Sequence, residues 1–201
     1  MVSRAAEALA RAGKRRPLLG GQKVRATDEE EARSLLRAAL PHLRGALLAD
    51  SPSGLVLEVD RSPESLAFVS SVAGPQVSQE GAPCPDHLIT TKHRPLAVDF
   101  DPDRDSPGDL AERLRRGVEE YAAWYRDYCR RNLTEESRAY PIDPAGPRVV
   151  LVPGVGIVTS GVDARRARLA RDLYRRAVAV ESAAHAAGGF RSLSEAEAFA
   201  I

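Results

Sequence analysis

The stretch from Pro147 to Tyr174, PRVVLVPGVGIVTSGVDARRARLARDLY, constrains the fold of this chain more than any other. An apolar run, Val149 to Val152, meets Pro153-Gly154; a second apolar run follows Gly156, and an arginine-studded helical pattern begins after Asp163. Short apolar runs bounded by glycine and proline predict strands, and apolar residues at every third or fourth position predict a helix. The expected unit is a strand, a tight turn, a second strand and a long helix over 163–187 that stops at Gly188-Gly189.

Two phosphate-binding readings of these glycines fail on spacing. A P-loop needs lysine and a hydroxyl directly after its last glycine, whereas Val162 and Asp163 follow Gly161. A dinucleotide fingerprint needs G-x-G-x-x-G, and the interval from Gly156 to Gly161 is too long. Glycines mark turns far more often than phosphates. A tight corner is the plain reading.

Elsewhere, Ser3 to Ala12 reads as a short helix, and residues 14–22, with Pro17, Gly20 and Gly21, as a linker or exposed loop. Thr27 with Glu30 forms an expected capping box, opening a helix to about Leu48 that Pro41 should kink or divide. Residues 54–60 alternate as a strand, and Ser62-Pro63-Glu64 starts a two-turn helix. Residues 73–86 are too rich in glycine and proline for regular structure, and HLITTK and LAVDF read as short extended segments. Ser106 is placed to cap a helix whose apolar stripe is Leu110, Leu114, Val118, Tyr121, Tyr125 and Tyr128. A last helix begins at Ser194, and its early end predicts a polypeptide that continues past Ile201. The expected organisation is an N-terminal helix and linker over 1–26 and one α/β domain over 27–201, a layered sheet with flanking helices.

Charge narrows the partners. Lys+Arg 29 against Asp+Glu 28 leaves a net charge of +1, which offers no footprint for nucleic acid or an anionic membrane surface. The N-terminus lacks the continuous apolar block of a signal peptide, and the longest nearly apolar run, Val149 to Val158, is about half a membrane span. Cys84 and Cys129 belong to no C-x-x-C pair, which suits a reducing cytoplasm. The expectation is a soluble cytoplasmic protein, with a homo-oligomer left open.

The segment VVLVPGVGIVTSGVDARRARLARDLYRRAVAVESAA resembles the last part of the class II aldolase/adducin fold, in which one strand ends at a His-Gly pair, a second returns to a glycine and a long helix follows. That histidine is a zinc ligand in the family. Matching the two glycines to Gly156 and Gly161 puts Val155 in its place, and a valine has no lone pair for Zn²⁺. The family's upstream H-x-H pair has no counterpart among His42, His87, His93 and His185. The runs CPDHLITTKHRPLAVDFDP, PRVVLVPGVGIVTSG and GGFRSLSEAEAFAI together resemble the middle region of bifunctional rhamnulose-1-phosphate aldolase/short-chain dehydrogenases, over about Leu40 to Ile201. The resemblance implies a connecting module without a metal of its own, joining a zinc-dependent aldolase domain to an NAD-binding dehydrogenase domain of the same polypeptide. It implies for the parent the cleavage of a ketose 1-phosphate to dihydroxyacetone phosphate and lactaldehyde, then NAD-linked oxidation of the aldehyde.

The densest polar cluster is CPDHLITTKHR. In an extended segment Thr90, Lys92 and Arg94 share a parity that would suit a sugar phosphate, and His87 beside Asp86 could transfer a proton. Asp86, His87, Thr90, Lys92 and Arg94 are therefore the candidate substrate-binding residues. The competing structural reading makes Asp86 a turn cap and the cations edge decoration. Cys84 has no evident base except His87, and the tyrosines of YAAWYRDYC read as core packing. The arginines of the 163–187 helix read as a solvated face, with Asp172 and Glu181 nearby.

Overall fold

The computed structural model describes residues 18–49, 51, 54–189 and 191–201. The helix expected over Ser3 to Ala12 lies outside the described residues. Four strands form one sheet: β1 (Val56–Asp60), β2 (Leu96–Ala97), β3 (Val149–Val152) and β4 (Gly156–Gly161), in the order β1-β4-β3-β2. β4 pairs antiparallel with both β1 and β3, and β2 runs parallel to β3. Among the described residues seven α-helices accompany it: α1 (Glu29–Leu48), α2 (Pro63–Val69), α3 (Gly74–Val77), α4 (Pro85–Thr91), α5 (Pro107–Asn132), α6 (Ala164–Ala186) and α7 (Glu195–Phe199). This is a layered α/β fold.

Alternation in β3 decides which helix covers which face. Val150 and Val152 join Leu35, Leu43 and Leu47 of α1 and Leu110, Leu114 and Val118 of α5 in one core. Val149 and Leu151 point the other way, onto Phe68 and Val69 of α2 and Tyr174, Ala177 and Val178 of α6. Side chains along a strand alternate between faces, so a strand buried on both reads as nearly continuous apolar sequence, and the buried Thr159 and Ser160 hydroxyls of β4 donate to Ala167 O and Pro147 O. All four residues of β3 and all six of β4 are buried. The first half of the apolar stripe expected on α5, Leu110, Leu114 and Val118, faces the first core, and α5 starts at a Ser106–Asp109 capping box.

Several local expectations change. Asp28, not Thr27, caps α1, its carboxylate accepting from the Glu31 amide at 2.8 Å. The Thr27 hydroxyl is committed elsewhere, donating to the Gly154 carbonyl at 2.7 Å. Pro41 does not divide α1; it lies on the exposed face with Arg37, where water can satisfy the carbonyl that the missing N–H leaves free. HLITTK is helical rather than extended, falling within α4 and its C-cap, and LAVDF contributes two strand residues. Pro85 at the first helical position, with Asp86 beside it, favours helix there. In the segment expected as linker, Leu19 and Val24 are buried, and the Lys23 and Val24 amides both donate to the Ser70 carbonyl, at 2.7 and 3.0 Å. Glu181, placed by sequence near the solvated arginines, is 2% exposed.

Candidate functional site

The β3–β4 corner is built by glycines that admit neighbouring backbone. Gly154 has φ +73°, and a Cβ there would stand 2.5 Å from the Arg25 carbonyl oxygen. Gly156 has φ +139°, and a Cβ there would stand 2.6 Å from the Asp60 carbonyl oxygen. Any larger residue would be both strained and in collision. The corner's polar backbone groups are taken by protein. The Thr27 amide and hydroxyl donate to Gly154 O, at 2.8 and 2.7 Å, and the Gly154 amide donates to Ser70 Oγ at 3.0 Å. The Arg61 guanidinium donates to Val155 O at 2.5 Å and to Thr27 O at 2.8 Å. Val155 itself is 0% exposed within the first core. The plain corner expected from the sequence is the arrangement found.

Beside this corner, Asp60 at the end of β1 is 6% exposed. Its carboxylate accepts from Ser65 Oγ at 2.6 Å and the Ser62 amide at 2.9 Å, with Arg175 at 3.5 Å. Burial alone would raise its pKa, yet these donors outweigh burial and hold it below the ordinary value.

The candidate substrate-binding residues do not gather at one point. Asp86 is exposed in the first turn of α4. His87 and Thr91, four apart, turn inward together, and Thr91 Oγ1 donates to His87 O at 2.7 Å. Thr90 is half-buried. Lys92, 5% exposed with φ +67°, donates from Nζ to Pro144 O at 2.5 Å and to Gly146 O at 2.8 Å. Its ammonium also lies 3.6 Å from the centre of the Tyr125 ring, a cation–π distance. Arg94 lies over Trp124 at 3.6 Å, and burial lowers its guanidinium pKa. Tyr121 Oη donates to Arg94 O at 2.8 Å. These cations therefore fasten the loop before β3 and the α4–β2 connection to the aromatic face of α5, where Tyr121 and Tyr128 are buried and Tyr125 is half-buried.

Two juxtapositions were weak or absent in the sequence. Cys84 Sγ and His87 Nδ1 are 2.8 Å apart, while His87 Nε2 is buried with no hydrogen-bond partner. A cleft of about 960 Å³ opens along Lys92, His93, Tyr125, Tyr128, Tyr140 and Phe199. Lys92 is the one candidate that lines it; Asp86, His87, Thr90 and Arg94 do not. His93 stacks on Tyr128 with ring centres 5.8 Å apart.

Over residues 34–201 the chain matches the family model described as "Aldolase class II, second domain". The chain belongs to this family. It is also 35% identical over 184 residues to a protein of Bacillus subtilis (strain 168) named "Uncharacterized oxidoreductase YuxG". The match takes in 92% of this chain and 26% of that relative, so the chain spans about a quarter of the relative's length. No solved structure matches. The class II aldolase resemblance thus stands, and the fold is the mixed α/β layer expected of it. Among the described residues, no group of three or more His, Cys, Asp or Glu is placed to hold a metal ion, and no helix is long and apolar enough to cross a membrane.

Proposed function

We propose that this second domain is a non-catalytic connecting module, joining a zinc-dependent aldolase domain to an NAD-dependent short-chain dehydrogenase domain in a longer polypeptide. The parent would cleave rhamnulose 1-phosphate and oxidise the lactaldehyde released, in the cytoplasm. Val155 carries this reading. In the family resembled, a histidine fills that position; here the side chain is a valine sealed in the core, with its carbonyl tied to Arg61. It has neither a donor atom nor an opening toward a substrate. The residues present do not fit zinc at this corner, and no step is assigned to a metal here.

Two comparisons support the multidomain setting. The family is described as a second domain, and the relative named an oxidoreductase is roughly four times as long as the matched segment. The two cysteines, Cys84 and Cys129, are unpaired, which suits a reducing compartment.

A second reading keeps a sugar-phosphate site at Asp86, His87, Thr90, Lys92 and Arg94. It is favoured by the position of Lys92 on the wall of the 960 Å³ cleft. A phosphate there would have to replace the bonds that Lys92 makes to Pro144 and Gly146. Calorimetric titration of the purified chain with inorganic phosphate and with rhamnulose 1-phosphate, together with an assay for released dihydroxyacetone phosphate, tests both. The connecting-module reading expects no saturable heat and no product. Saturable heat alone would support the second reading, and product would overturn the first.

A further inference from the structure

Three of the four unpartnered buried polar side-chain atoms among the described residues belong to residues lining one small cavity. They are His93 Nδ1, Tyr174 Oη and Glu181 Oε2. The cavity lies between α6 and the run 91–95, is closed on a third side by Ser78, Gly81, Ala82 and Pro83, and measures about 10 Å³. The residues that supply the atoms are 8%, 3% and 2% exposed respectively.

A buried polar group without a partner is costly, and such groups are rare in folded proteins unless an ordered water meets them. Three residues that carry such groups on the wall of one void are a stronger observation than any one alone. The volume is close to the least that one water needs, and buried waters make about three hydrogen bonds. We propose that this cavity is a binding site for a single water molecule, held by Glu181, Tyr174 and His93. The water accepts from the Tyr174 hydroxyl and donates to His93 Nδ1 and to the Glu181 carboxyl. It joins α6 to the segment that carries Lys92 and Arg94, so the cation-anchored side of the cleft is tied through it to the far sheet layer.

The electrostatics fit a neutral occupant. Burial, with the Glu80 charge second, favours the protonated Glu181 carboxyl, and burial likewise favours neutral imidazole at His93. The other charged groups on the cavity wall are Lys92 and Arg94. The first is bonded to Pro144 and Gly146, and the second is stacked on Trp124.

A crystal structure of the full 201-residue chain, at a resolution that shows ordered water, tests the site in the unaltered protein. The expected result is one peak within hydrogen-bond distance of all three atoms. No peak, direct pairing of Glu181 with Tyr174, or a peak that refines as a metal ion would overturn the proposal. The variant Tyr174→Phe gives a second readout with opposite signs. If the hydroxyl holds a water, removing it lowers Tm by about 2–4 °C. If the hydroxyl is an orphan, removing it leaves Tm unchanged or raises it, and the proposal fails.

Discussion

The Arg61 guanidinium donates to the Val155 carbonyl and closes the β3–β4 corner onto the residues that leave β1. The same side chain reaches Thr27 O and Oγ1, so one cation fixes three strands of chain at a single point. A corner held this way is a mechanical joint rather than an open ligand site.

Removing that joint should be expensive. Arg61→Ala leaves Val155 O and Thr27 O without their donor, and charge-assisted bonds to buried acceptors contribute about 1.5–3 kcal/mol each. Urea denaturation should therefore show a loss of about 3–6 kcal/mol. Arg61→Lys, which lacks the planar fork, should recover less than half of it.

Gly156→Ala tests the backbone argument at the same corner. The added Cβ would sit 2.6 Å from the Asp60 carbonyl at a φ of +139°. A loss of more than about 2 kcal/mol is expected in equilibrium unfolding, because neither backbone can retreat without breaking the β1–β4 register. Gly54→Ala is the control, since nothing lies within 4 Å of a Cβ there.

Lys92→Met should loosen the loop before β3. The substitution keeps a side chain of similar length but gives up the bonds to Pro144 and Gly146 and the contact with Tyr125. Hydrogen exchange should quicken over residues 140–147, with a stability loss of about 1–3 kcal/mol. Unchanged exchange there would deny Lys92 its anchoring role.

Stability should depend on pH through Glu181, whose carboxyl burial pushes up to about 8 from an ordinary 4.5. The folded chain keeps a proton that the unfolded chain releases, so this contribution is complete below pH 4.5 and is lost as pH rises to about 8. His93, held neutral by burial, has the opposite sign: its depressed pKa costs stability as pH falls below the ordinary 6.5. The difference between wild type and Glu181→Gln isolates the carboxyl. Between pH 5 and pH 8 that difference should shift by about 2–4 kcal/mol in favour of the variant.

Much of this architecture was legible from residue order alone. Val149 to Val158 reads as two strands about a tight corner, Ser106 caps the helix expected of it, and the helix starts expected at Asp163 and Ser194 are N-caps too. Glu181 was also within reach. It follows Ala167, Ala170, Tyr174 and Ala177 at helical steps of three or four, on the buried face of α6. The surrounding arginines drew it to the wrong side, because sequence shows charge before it shows periodicity. HLITTK misled through its β-branched residues: Pro85 and Asp86 set a helix start that outweighed their propensity. The bonds of Lys92 to carbonyls 52 and 54 residues away had no local signal at all. Contacts so distant come from packing, and the same packing hid the cavity under Tyr174.

Metal content of the folded chain tests the account most directly. After dialysis against excess zinc and then buffer, mass-spectrometric metal analysis should find far less than one zinc per chain. Zinc at one per chain, lost on Arg61→Ala or another change at the Val155 corner, would contradict the reading of this domain as a connector.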